Sequence, residues 1–303
     1  MKPILTAFVA VLSTATPTLA QDFTQEQIAA AMRFSMGDAA YTMYHEIGHL
    51  LVNELGIPVL GKEEDAADAL AVLMLLNDES DNESYVRLID AADGWYFKAQ
   101  NVEVSSMSEL GFVAAHSLGI QRAYAMACLM LGKDQDYFSN VGDFYEIDQD
   151  TRDSCAYTYE QTNAAWNALL APHLVTDEPN AEIEIIYDEP GEGYELYMQA
   201  LQDARILEHA AELVTSTYAL PRPIVFRAQM CDQPNAFYSP EGEVIYCYEL
   251  AEDMASLYLT DVIQYYPDAN AEEQEEDTGG SEDEEPAEED EMPDAERGGT
   301  SSG

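Results

Sequence analysis

The sequence predicts an α+β domain that is predominantly helical, with a small sheet near the C-terminus. Three observations carry this. Apolar residues recur at helical spacing through most of the chain up to Leu170. Short alternating runs cluster between Ile224 and Tyr248 around one strong turn signal. The two kinds of element are largely segregated along the chain, and no internal repeat is present.

Thr24-Gln25-Glu26-Gln27 forms a capping box that opens a helix expected to reach about Phe34. Gly37-Asp38 should interrupt it, and Asp38 can cap a second helix over Ala39–Leu55. In that segment Met43, Ile47, Leu50, Leu51 and Leu55 recur at helical spacing, and Gly56 and Pro58 are stop signals. Further helices are predicted over Lys62–Leu76, Glu83–Gln100, Leu118–Leu131 and Arg152–Leu170, with Asn101–His116 as loop. Glu182–Tyr187 is strand-like. A long amphipathic helix is expected over Glu195–Tyr218, stopped before Pro221. Ile224–Met230 alternates like a strand. Asn235–Tyr238 and Glu243–Tyr248 are extended and joined by the turn Pro240-Glu241-Gly242. Glu249–Ile263 is the last helix.

The chain has 303 residues, 47% of them hydrophobic, which is enough to bury a core. Lys and Arg number 12 against 59 Asp and Glu, a formal net charge of -47. A surface that acidic repels phosphate, so nucleic acid is excluded as a partner. Anionic lipid is disfavoured for the same reason. A basic partner, a divalent cation or a salty medium remains compatible. Fifteen of the acids lie in Ala271–Gly303, where Met292 is the single large apolar residue. That stretch cannot offset its ordering entropy by burial, so 268–303 is expected to be a disordered acidic tail.

Residues 1–20 look like a signal peptide. Met1-Lys2 gives a positive start, Ile4–Leu12 an apolar run, and Thr18-Leu19-Ala20 a small-residue cleavage site. Cleavage after about Ala20 would leave a domain over 21–267 in the periplasm or the extracellular space. No later stretch reaches about 18 uninterrupted apolar residues, so no membrane insertion is expected after the signal is removed. The four cysteines allow three pairings. Proximity favours disulfides Cys128–Cys155 and Cys231–Cys247 in an oxidising compartment. A four-thiolate zinc site would want close C-x-x-C pairs, which are absent.

The chemistry lies in His45-Glu46-Ile47-Gly48-His49, an H-E-x-x-H motif inside a predicted helix. Positions i and i+4 share a helix face, so both imidazoles can reach one zinc ion, with Glu46 beside them to take a proton from water. A zinc site of this kind needs a third protein ligand and an open position. Glu64 on the next helix is the candidate, with Asp68 one turn on to hold a ligating imidazole by its other nitrogen. Sequence alone does not fix the helix phase, so Glu63 or Asp65 can replace Glu64. Acids also favour a first helical turn without any metal. His116 and Arg122 are candidates for stabilising an oxyanion, against a plain reading of a loop residue and an ion pair. His173 and His209 read as structural, and Asp143–Asp150 lacks the glycine and spacing of a calcium loop.

These residues resemble the gluzincin class of zinc metallopeptidases, and more narrowly the metallopeptidase family catalogued as domain of unknown function 4344. The stretches that carry the likeness are YHEIGHLLVNELGIPVLGKEEDAADALA, HSLGIQRAYAMACLMLG and CDQPNAFYSPEGEVIYCYEL. The resemblance implies a zincin-like core, one catalytic zinc held by His45, His49 and Glu64, and Glu46 as general base. Asn235-Ala236-Phe237-Tyr238 is similar to the substrate-facing edge strand of several zincins, where a peptide adds as one more strand. In thermolysin-like enzymes that strand precedes the motif helix. Here it follows it, so the resemblance implies a rearranged order. The function expected is peptide-bond hydrolysis of a peptide or protein substrate. The alternative is a catalytically silent periplasmic binding module of the same fold. Neither substrate identity nor oligomeric state is legible.

Overall fold

A computed structural model describes residues 23–78, 83–101, 117–176 and 180–265. The segments read above as signal peptide and acidic tail lie outside them, as do most of the loop Asn101–His116 and His116 itself. In chain order the helices are α1 (Gln25–Leu55), α2 (Glu63–Asn77), α3 (Ser84–Asn101), α4 (Gly119–Lys133), α5 (Ser139–Phe144), α6 (Gln149–Leu170), α7 (Glu195–Asp203), α8 (Ile206–Thr217) and α9 (Tyr248–Thr260). Four strands, β1 (Ile183–Tyr187), β2 (Ile224–Gln229), β3 (Ala236–Ser239) and β4 (Glu243–Cys247), form one sheet in the order β1-β2-β4-β3. The expected mainly helical α+β class is what the described residues show.

Helix α1 is the axis of the fold. Met43, Ile47, Leu50 and Leu51 are fully buried along it, and α2, α3, α8, α9, β3 and β4 all pack on it. Each such side chain contributes roughly 1.5–3 kcal/mol by leaving water. The capping box at Thr24 forms, and Gly56 ends the helix in a left-handed conformation (φ 65°) with its N–H on the Val52 carbonyl. The expected break at Gly37-Asp38 does not occur: α1 runs unbroken, and Asp38 is a buried interior residue rather than a cap. Packing explains the glycine. A Cβ at Gly37 would lie 2.6 Å from Asp90 Oδ2, so the residue serves the approach of α3, not a turn.

The expected long helix Glu195–Tyr218 is likewise two helices, split at Arg205, which takes a left-handed backbone (φ 51°). The buried residues show why. Leu201 is followed by Ile206, five positions on, so the apolar stripe loses helical phase there and resumes with Leu207, Ala210 and Val214. Short helix α5 was not anticipated from the acid-rich Asp143–Asp150 stretch. Asp148 caps α6 by accepting the Thr151 N–H.

Strands β1, β2 and β4 run parallel, and β3 is antiparallel to β4. The chain leaving β2 therefore passes β4's place, builds the edge strand β3, and turns back at Gly242 (φ 95°) to insert β4 between them. Both expected disulfides are present. Cys128–Cys155 joins α4 to α6, and Cys231–Cys247 ties the start of the β2–β3 connection to the end of β4.

Candidate metal centre and active site

Two helices bring the site together. His45, Glu46 and His49 occupy adjacent turns of α1, and Glu63, Glu64 and Asp68 stand in the first turns of α2. The helices approach closely because α1 carries Gly48 between the histidines. A Cβ there would meet Ala67 Cα and Cβ of α2 at 3.0 Å.

Three donor atoms converge. His45 Nε2 lies 3.2 Å from Glu64 Oε2, His49 Nε2 lies 3.3 Å from the same oxygen, and the two Nε2 atoms are 3.2 Å apart. Tetrahedral ligands bonded to zinc at 2.0–2.1 Å stand about 3.3 Å from one another, so the triangle has the size such an ion requires. The other ring nitrogens are also engaged. His45 Nδ1 is 2.7 Å from Asp68 Oδ1, and His49 Nδ1 is 2.9 Å from Glu63 Oε1. A carboxylate on Nδ1 fixes the proton there and turns the Nε2 lone pair toward the centre. The residues therefore fit a divalent cation with imidazole and carboxylate ligands. In this geometry Glu64 faces the imidazole pair, Glu63 reaches His49 Nδ1, and Asp65 accepts the Ser117 hydroxyl.

Electrostatics follow from this packing. Burial works against charging His49, yet hydrogen bonds with Glu64 and Glu63 lift it to about 9. Burial likewise opposes charging of His45, and hydrogen bonds with Asp68 and Glu64 lift it above its ordinary value. Burial alone would raise Asp68, but the His45 hydrogen bond and the Arg122 guanidinium hold it well below the usual carboxylate range.

Arg122 is committed to Asp68. Its Nε and Nη2 donate to the two carboxylate oxygens at 2.7 and 2.5 Å, and its guanidinium carbon sits 3.5 Å from the Trp95 ring centroid. Tyr41 adds a third donor, its hydroxyl 2.7 Å from Asp68 Oδ1. Sequence reading did not anticipate Tyr41, although it lies one helical turn before His45, on the same face.

Glu46 reaches the sheet edge and shares a cavity wall with His45. Its Oε2 accepts the backbone N–H of Tyr238 at 2.9 Å. Burial raises the Glu46 pKa, against the pull of both histidines and that N–H. Alternation along β3 makes the contact possible. Asn235 accepts the Cys247 N–H toward β4, so Ala236 and Tyr238 turn their backbone groups outward. Phe237 is exposed, whereas Asn235 and Ala236 line a cavity of about 360 Å³ that also touches His45 and Glu46. The strand is clamped from behind. The Tyr238 hydroxyl donates to Glu54 at 2.6 Å, and Arg222 joins Glu54 to the carbonyls of Pro240 and Glu241. Nothing in the local sequence marks Arg222 or Glu54, because their meeting depends on the hairpin landing beside the end of α1.

A second cluster, Cys231, Cys247 and Glu249, offers no thiolate because the cysteines are bonded to each other. Glu249 accepts the backbone N–H groups of Cys231 and Asp232 there.

Comparison with known families gives one match. The model described as "DUF4344: Putative metallopeptidase" covers residues 8–170 and 187–279. No curated protein and no solved structure matches the chain.

Proposed function

Because the chain belongs to the DUF4344 family of metallopeptidases, we propose that it is an exported zinc-dependent peptidase with Glu46 as general base. The observation that carries this is the convergence of two imidazole nitrogens and one carboxylate oxygen at 3.2 to 3.3 Å. When bound, zinc would lower the pKa of a water molecule and polarise the scissile carbonyl. His45, His49 and Glu64 would hold the ion. Asp68, fixed by Arg122 and Tyr41, keeps the His45 ring oriented, and Glu63 does the same for His49.

Glu46 takes the proton of the attacking water on the carboxylate oxygen that Tyr238 leaves free, and hands it to the departing amine nitrogen. A substrate in extended form adds to the outer side of β3, where the backbone groups of Ala236 face outward and Asn235 stands beside them. The chain then has a zincin-like core with its edge strand after the motif helix. No described helix is long and apolar enough to cross a membrane. Two disulfides support an oxidising compartment, periplasmic or extracellular.

Glu46→Gln tests the assignment. Metal analysis should find undiminished zinc, and digestion of a peptide mixture should slow by about 100-fold or more. Cleavage at the unmodified rate would remove Glu46 as the base.

A further inference from the structure

The cavity beside Glu46 contains a carboxyl group that the mechanism above does not use. Asp38 is 4% exposed, and its side chain's one hydrogen bond among the described residues is a long one, from Thr42 Oγ1 at 3.4 Å. Buried carboxylates normally hold a cation or several donors. The two cations bordering the same cavity are matched elsewhere. Lys98 Nζ lies 2.6 Å from Asp253, and Arg122 is bonded twice to Asp68. Asp38 therefore lines a water-accessible hollow with acceptor capacity to spare.

The rest of the cavity suits a long side chain with a charged end. Tyr41, Trp95, Leu250 and Met254 give apolar walls for a methylene stem. Gly94 lets the Met254 methyl close against α3 and complete that wall, since a Cβ there would sit 2.5 Å from Met254 Cε. The hollow opens onto Glu46 and Ala236, where the scissile bond of an added strand would lie. The chain as a whole carries a formal charge of -47, which attracts cationic peptides from a distance.

We propose that this cavity is a side-chain subsite for a lysine or arginine next to the scissile bond, recognised by the Asp38 carboxylate. The proposal rests on the peptidase reading for its placement beside the cut, but not for the recognition itself.

The test uses the full mature chain loaded with zinc and a synthetic peptide library, with cleavage positions read by mass spectrometry. Lysine and arginine should be enriched at least tenfold at one position flanking the cut. In a matched peptide pair carrying lysine or norleucine there, Asp38→Asn should lower the lysine-to-norleucine ratio of kcat/KM at least tenfold. Lys98→Met, which removes a competing ammonium, should raise it. A library digest without basic enrichment, or a ratio unchanged in Asp38→Asn, overturns the proposal. A binding arm separates this outcome from failure of the peptidase reading. Fluorescence anisotropy of the same two peptides on the Glu46→Gln protein should show at least tenfold tighter binding of the lysine peptide. Selective binding without cleavage by the unmodified protein sinks the peptidase reading and leaves the subsite standing. Equal binding of the two peptides sinks the subsite.

Discussion

His45 and His49 face each other through Nε2 at 3.2 Å while a different carboxylate holds each Nδ1. The two Nε2 atoms and a Glu64 oxygen crowd together at 3.2 to 3.3 Å, a triangle that needs a proton or a metal ion among its members. The arrangement makes sense as a metal centre, and its supports can be removed one at a time.

Asp68→Asn is expected to keep the fold's apolar packing while loosening the His45 ring. Zinc affinity should fall by about 10- to 100-fold, the usual cost of losing a partner of a ligating histidine. Glu63→Gln, whose carboxylate is half exposed, should cost less. Competition titration with a colorimetric chelator measures both, and equal affinities in all three proteins would contradict the assigned supports.

Gly48→Val places methyl groups where Ala67 already stands at 3.0 Å from a Cβ. Overpacking of this kind destabilises by about 1–3 kcal/mol. Here it should also push α2 away and weaken zinc binding. Denaturant unfolding and metal analysis on one sample test the coupling. A destabilised variant with unchanged metal affinity would show that the helix spacing does not set the site.

Asp38 gives a pH signature. Burial, opposed by Lys98 and Arg122, raises its carboxyl from 3.8 to about 6. A raised folded-state pKa means that the native state binds more protons than the unfolded chain between these values. This contribution to stability is therefore lost as pH rises from about 4 to about 6, and it amounts to roughly 3 kcal/mol at most. Asp38→Asn should flatten that part of the stability curve. Urea midpoints at pH 4, 5, 6 and 7 for both proteins test it, and parallel curves would refute it.

The clamp on the edge strand predicts a kinetic effect. Removing the Arg222 guanidinium frees Glu54 and the Pro240 and Glu241 carbonyls. Arg222→Ala should lower kcat/KM for peptides by about tenfold through misplacement of β3, with zinc content unchanged. Arg222→Lys should restore part of the loss. Full activity in Arg222→Ala would mean that the strand holds its place without the clamp.

How much of this was legible depends on the range of the interactions. The H-E-x-x-H motif and the Glu64-x-x-x-Asp68 spacing are set by helix geometry alone, so intervals foretell which side chains share a helix face but not which of Glu63, Glu64 and Asp65 turns toward the histidines. The capping box at Thr24, the stop at Gly56 and the hairpin turn at Gly242 are equally local. Gly37 misled because a glycine's local meaning is a break, whereas here it makes room for Asp90 across the α1–α3 contact. Arg122 carries two readings in the sequence, an oxyanion partner or an ion pair with one of many acids, and only the fold shows that Asp68 is an acid it pairs with. The Arg222–Glu54–Tyr238 clamp joins residues far apart in the chain, and no periodicity reports such a meeting. His116 lies outside the described residues, so the structure gives it no place.

The most direct test is X-ray absorption at the zinc edge on the metal-loaded protein, with stoichiometry measured on the same sample. The account predicts one ion per chain, with two imidazole nitrogens and carboxylate oxygen in its first shell at about 2.0–2.2 Å. Glu64→Ala and His49→Ala should each lose that signature. Undiminished zinc in either variant, sulfur in the first shell, or no stoichiometric zinc in the unmodified protein would contradict it.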